Sequence, residues 1–257
     1  MSHRDNTIVI STSDQLLQAG TRRRFLQLMA TGGAVVLLPS VFTACGGDST
    51  GTGNNGQFDL NLSDDFGILN YAYALEQLEA AYYTAALTSP GFAALSAPEK
   101  EVLQDLQKHE VIHREFLKTA LGDRKIGTIG FNATTVGTLT ASRSVLLSTS
   151  QLLEDTGVSA YNGAGKYLTS ATYLLLAGKI VSVEARHAAA IRDIRDTTGR
   201  AFAGDDVVNA AGLDVKEEPA NIIAGVGGLN VLTSPVRITT QPPTKPGTPN
   251  MPAPTPA

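Results

Sequence analysis

Four glutamates occupy positions that a helical bundle ordinarily fills with apolar side chains. Four long segments carry apolar residues at alternating steps of four and three, the pattern of a helix with one face turned inward. The first, from about Ser63 to Thr88, has the seam Leu69, Tyr73, Glu76, Ala80, Tyr83 and Leu87. The second, from Ser96 to Gly122, has Leu103, Leu106, Glu110, His113, Leu117 and Ala120. On the third, about Thr138 to Asn162, the face is Leu147, Glu154, Val158 and Tyr161. The fourth, about Thr169 to Thr198, has Tyr173, Ala177, Ile180, Glu184, His187, Ile191 and Ile194. Burying an ionised carboxylate without a partner costs several kcal/mol. A chain with one on each of four seams must compensate them at the centre of its core, with metal ions or with a satisfied polar network that needs none.

Local signals set the helix ends. Ser63 is expected to cap the first helix, with Asp64 and Asp65 at the positive end of its dipole, and Pro90-Gly91 to stop it. Ser96-Ala97-Pro98-Glu99 reads as a capping box with proline in the first turn. Gly122 and Gly199 are expected to close the second and fourth helices. The Gly-, Thr- and Asn-rich stretch between Gly122 and Gly137 is long enough to cross a bundle from end to end, and strand signals are few. The predicted fold is all-α: a four-helix bundle over residues 63–199 with a long crossover between its second and third helices. Residues 200–257 form an irregular C-terminal extension in which Asn221 to Leu232 can pack on the bundle, before a proline-rich tail.

Two of the seam glutamates are followed three residues later by histidine, in Glu110-Val111-Ile112-His113 and Glu184-Ala185-Arg186-His187. Residues i and i+3 of a helix project side by side, so each pair offers a carboxylate oxygen and an imidazole nitrogen to one point. With Glu76 and Glu154 they make four carboxylates and two imidazoles, the ligand set of a dinuclear iron or manganese site. Two divalent cations neutralise four carboxylates when the imidazoles bind as neutral rings. Glu110 and Glu184 are expected to bridge the metals, with Glu76 and Glu154 as terminal ligands. Internal repetition points the same way. Tyr83 follows Glu76, and Tyr161 follows Glu154, at the same offset of seven, and a Glu-x-x-His helix comes after each. The two tyrosines are expected to hydrogen-bond the carboxylate of the opposite half. Glu79, three residues after Glu76, is a further candidate, although a solvated flank beside the seam is the plainer reading. His109 points about 100° away from Glu110 and reads as a surface or inter-helix residue.

The phrases Leu75-Glu76-Gln77-Leu78-Glu79-Ala80, Leu153-Glu154-Asp155-Thr156-Gly157-Val158-Ser159-Ala160-Tyr161 and Val183-Glu184-Ala185-Arg186-His187 resemble the ferritin-like superfamily, and in particular exported bacterial ferritin-like-domain proteins. The resemblance implies the crossover and a di-metal carboxylate centre. It leaves the reaction open among iron oxidases, peroxidases, oxygenases and manganese catalases. On this reading the cofactor is two iron ions, with two manganese ions as the alternative. The reaction partner is dioxygen or hydrogen peroxide, in a ferroxidase or peroxidase-like role. A metal-stabilised envelope or stress protein without turnover is the reading from a different class, and homodimerisation is left open.

Composition narrows the rest. A net charge of −4 and a pI near 5.6 provide no basic surface for nucleic acid. The one cysteine, Cys45, excludes an internal disulfide and any cysteine-built metal cluster. Thr21-Arg22-Arg23-Arg24-Phe25-Leu26-Gln27 fits a twin-arginine signal, and residues 25–47 carry no charge. Phe42-Thr43-Ala44-Cys45 resembles a lipoprotein processing site, with phenylalanine where leucine is usual. Residues 1–44 are therefore expected to be an export signal. Residues 45–62 are expected to be a flexible tether, lipidated at Cys45, that holds the protein at the membrane of the periplasm or cell envelope.

Overall fold

The structure, a computed structural model, describes residues 56–196 and 198–243, together with two short parallel segments, Val9–Ile10 and Val36–Leu37. Those segments belong to a separate unit, Met1–Gly47, and the helices belong to the second unit, Asp48–Ala257. Residues 21–27, expected to be a twin-arginine signal, Cys45 and residues 244–257 lie outside the described residues.

Four long helices form the core: α1 (Asp65–Ala86), α2 (Ala97–Leu121), α3 (Arg143–Ala164) and α4 (Ala171–Arg195). The cap of α1 is Asp64 rather than Ser63, its carboxylate accepting from the Gly67 N–H at 2.8 Å. Asp65 turns inward and accepts from the N–H groups of Thr169 and Ser170, both at 2.7 Å, which joins the start of α1 to the start of α4. The capping box at Ser96 and Glu99 opens α2. The third helix starts later than Thr138, because residues Ala133–Leu139 form a separate short helix and Ser142 caps the new one. The fourth ends before Thr198. There the Asp196 carboxylate collects the N–H groups of Thr198, Arg200 and Ala201, each at 2.9 Å, an alternative to the next helical turn.

α1 packs chiefly on α2, and α3 chiefly on α4, so two helical hairpins face each other across the core. α1 is buried on nearly every side, which explains why its sequence is apolar well beyond the seam. The crossover covers one flank and inserts Ile126 and Ile129. Extended backbone in such a place must find partners outside regular structure. Two carboxamides of α1, one face apart by seven residues, provide them. Asn70 accepts from the Ile126 N–H at 2.7 Å and donates to the Arg124 carbonyl at 2.8 Å. Gln77 accepts from the Ile129 N–H at 2.9 Å.

The C-terminal extension covers another part of the bundle. Helix α5 (Pro219–Gly228) buries Ile222 and Val226 within the same hydrophobic core as α1. Beyond it, strand Val236–Thr240 pairs in parallel with Phe58–Asn61. Phe58–Asn61, expected to belong to the tether of residues 45–62, is instead a strand, and the side chains of Phe58, Leu60 and Leu62 are buried. Among the described residues of this unit, a two-stranded parallel ribbon is thus added to the helices. Residues 215–217 run against α3: the Glu217 N–H donates to the Ser159 carbonyl at 3.0 Å, and a Cβ at position 163 would lie 1.7 Å from the Glu217 carbonyl oxygen. Only glycine allows that approach. Buried Arg192 of α4 clamps the assembly, pairing with Asp155 of α3 at 2.7 Å and with Asp206 of the extension at 2.8 Å. Among the described residues no helix is long and apolar enough to cross a membrane.

Replacing Asn70 by leucine strands a buried N–H and a carbonyl of the crossover. We expect Asn70→Leu to cost about 2–4 kcal/mol in urea unfolding. A loss below about 0.5 kcal/mol would show that the crossover does not depend on this side chain.

Candidate metal centre

The six seam residues named from the sequence come together halfway along the bundle. Glu76 on α1, Glu110 and His113 on α2, Glu154 on α3, and Glu184 and His187 on α4 are all buried, and the four glutamates have no exposed surface. Their ligating atoms fall into two overlapping groups, each within 4.8 Å: Glu76, Glu110, His113 and Glu184 in one, and Glu110, Glu154, Glu184 and His187 in the other. Glu110 and Glu184 belong to both groups. The arrangement is close to two-fold symmetric. Nδ1 of His113 lies 2.8 Å from Glu184 Oε1, and Nδ1 of His187 lies 2.8 Å from Glu110 Oε1.

These approaches are not hydrogen bonds in the directional sense. Both oxygens of Glu110 and Glu184, one oxygen each of Glu76 and Glu154, and both Nδ1 atoms are buried without an aligned hydrogen-bond partner. Lone pairs that converge on shared points instead of pairing with donors are what cation coordination requires, and protein interiors otherwise avoid them. The donor set of carboxylate oxygen and imidazole nitrogen suits first-row divalent ions such as iron and manganese.

Electrostatics describe the same strain from the side of protons. Burial, then the neighbouring Glu184 carboxylate, pushes Glu110 above the ordinary carboxylate range. Burial also raises Glu154. For Glu184 burial acts upward too, but His113 and His187 outweigh it and hold this carboxyl low. Burial pulls both imidazoles down, and the surrounding carboxylates reverse that and raise them far above their usual value. Without a cation, protons on the imidazoles and on some of the carboxyls balance the charge. A bound metal ion would displace them.

Tyr83 of α1 donates its hydroxyl hydrogen to Glu154 Oε1 at 2.5 Å, and Tyr161 of α3 donates to Glu76 Oε1. Each tyrosine thus steadies the carboxylate of the opposite half. Burial keeps both phenols protonated and able to donate.

Two residues beside the centre differ from, or go beyond, the sequence reading. Glu79 is not a solvated flank; it is 3% exposed and faces the cluster, and burial followed by the Glu184 charge raises its carboxyl well above the ordinary range. The space it uses comes from Gly157 of α3, where a Cβ would stand 3.1 Å from Glu79 Oε1 and 3.5 Å from Glu184 Oε2. A glycine inside a helix costs about 1 kcal/mol relative to alanine, so Gly157 was a legible sign that something approaches closely there. His109 is exposed, yet it also bridges helices, with Nδ1 2.9 Å from Nε2 of His187. Local spacing on α2 could not show which residue of α4 it meets.

Among curated proteins none matches this chain. The sequence model of the ferritin-like domain matches residues 64–197, more than half of the chain, and that span holds all four long helices and every residue of the cluster. On the match and the geometry together, this chain belongs to the ferritin-like domain family, with a buried carboxylate and histidine cluster suited to metal ions.

Proposed function

We propose that the protein is a di-iron protein of the cell envelope that reacts with dioxygen or hydrogen peroxide, as a ferroxidase or a peroxide-consuming enzyme. The observation that supports this most is the pair of overlapping ligand groups sharing Glu110 and Glu184, with buried lone pairs that no protein donor satisfies. In this reading Glu76 and His113 serve one ion, Glu154 and His187 the other, and Glu110 and Glu184 span both. Bound iron would supply the electrons and the open coordination positions for the oxidant. The chain supplies the rest. Tyr83 and Tyr161 keep Glu154 and Glu76 oriented, and the apolar seam residues above and below the cluster keep bulk water from its carboxylates. The same donors accept manganese, and metal analysis of protein purified from its own host distinguishes the two.

Export by the twin-arginine route and acylation at Cys45 belong to this proposal, supported by the Arg22-Arg23 pair and the Phe42-Thr43-Ala44-Cys45 sequence. Replacing Arg22 and Arg23 by lysine should leave precursor in the cytoplasm, and Cys45→Ser should abolish labelling by a radioactive fatty acid. Unchanged export or undiminished labelling would refute the corresponding assignment.

Glu110→Ala removes a ligand from both positions. We expect metal content to fall from two ions per chain and Fe(II) or peroxide turnover to drop by more than about 100-fold, while far-ultraviolet circular dichroism stays helical. Equal rates in wild type and variant would defeat the enzymatic reading.

Metal uptake should release protons at pH 7, because the raised His113, His187, Glu110 and Glu154 hold protons that the cation replaces. Affinity should therefore weaken as pH falls. Calorimetry in buffers of different ionisation enthalpy measures the protons released; a count of zero would contradict displacement at these groups.

A further inference from the structure

We infer that His109 is a positioning residue for His187, and that it makes the two metal positions of the centre unequal. The inference rests on the di-metal reading, and its own observation is the contact on the outer side of the His187 ring. To offer a lone pair from Nδ1 beside Glu110, Glu154 and Glu184, the neutral His187 ring must carry its proton on Nε2. Nε2 is the atom that His109 meets, Nδ1 to Nε2 at 2.9 Å. The ring planes are 6° apart and their centroids 5.1 Å apart, too far for a face-to-face stack at that nitrogen separation. The rings are joined edge to edge in nearly one plane, with the Nε2–H of His187 directed along the Nδ1 lone pair of His109. His109 then keeps its own proton on Nε2. One hydrogen bond fixes both the tautomer and the tilt of His187, a task that usually falls to a carboxylate or a backbone carbonyl next to a ligating histidine.

The repeat shows that this brace serves one side only. Glu110 and His113 on α2 correspond to Glu184 and His187 on α4 at a constant offset, and by that offset His109 corresponds to Val183. Valine cannot accept a hydrogen bond from the outer nitrogen of His113. The position built on Glu154 and His187 is therefore the preorganised one and fills first.

Stepwise titration of the full mature chain with Mn(II), followed by electron paramagnetic resonance and calorimetry, reads this directly. Wild type should bind two ions in unequal steps. His109→Ala should weaken the tighter step by about 10–100-fold. His109→Asn, whose side-chain oxygen can stand where Nδ1 stood, should recover most of that loss, which removal of mere bulk would not explain. A second reading needs no metal: nitrogen-15 magnetic resonance of the metal-free chain should show coupling across the hydrogen bond between His187 Nε2 and His109 Nδ1. Missing coupling, unchanged affinities in His109→Ala, or equal losses in the Ala and Asn variants would each overturn the role of His109 while leaving the di-metal reading intact. Coupling in a wild-type chain that takes up no metal would overturn the di-metal reading, and the role of His109 with it.

Discussion

Four carboxylates held within a few ångströms of one another, away from water, repel strongly enough to open any bundle that lacks a compensating charge. The structure around Glu76, Glu110, Glu154 and Glu184 is arranged to manage that repulsion. Two imidazoles lie against the carboxylates, and two phenols each donate to one of them. Glu110 and Glu184 belong to both ligand groups, so any charge bound in one group is felt in the other. The centre and the bundle are thus one energetic problem: the helices bring the charges together, and whatever binds between them holds the helices.

That dependence explains the second layer of the fold. A core with charged groups at its middle can devote fewer seam positions to apolar contact, and the chain recovers burial by wrapping α1 from outside. The crossover, α5 and the parallel ribbon all add apolar side chains to the cluster that contains α1. Each wrapped segment brings backbone that needs hydrogen bonds, and Asn70, Gln77 and the ribbon meet that need. Arg192 fastens the extension to α3 and α4 through two aspartates, one of which, Asp155, adjoins Glu154 of the buried cluster in sequence. The extension is structurally continuous with the centre, and not an appendage to it.

Much of this was legible because helices impose a short period. The seams, the Glu-x-x-His pairs and the repeated Glu-to-Tyr spacing all lie within a few turns of one helix, where i, i+3, i+4 and i+7 determine who shares a face. The missing pieces depend on neighbours distant in sequence. Phe58–Asn61 resembles the end of a Gly-rich tether until its partner strand, almost the whole described chain away, is known. Ser63 and Asp64 are both competent caps, and geometry chose the aspartate. Thr138 continues a helical pattern that the turn before Ser142 interrupts. Glu79 reads as a flank because the periodicity of α1 says nothing about the helix opposite.

The internal repeat makes Glu79 intelligible. The offset that maps Glu76 onto Glu154, and Tyr83 onto Tyr161, maps Glu79 onto Gly157. Near a two-fold axis the two copies of such a position approach each other, and a Cβ at 157 would stand 3.1 Å from Glu79 Oε1, so a side chain there would crowd the carboxyl of Glu79. One half carries a carboxyl at this position and the other carries glycine. His109 and Val183 are a second such pair, one polar and one apolar at matching places. Both departures from symmetry lie immediately around the cluster, whereas its carboxylates and imidazoles and the tyrosines that hold them repeat. A cluster made from two copies of one helix pair thus offers donors of the same kind on both sides in different surroundings, and on the proposed di-metal reading that is the condition for two ions to differ in affinity and in reactivity.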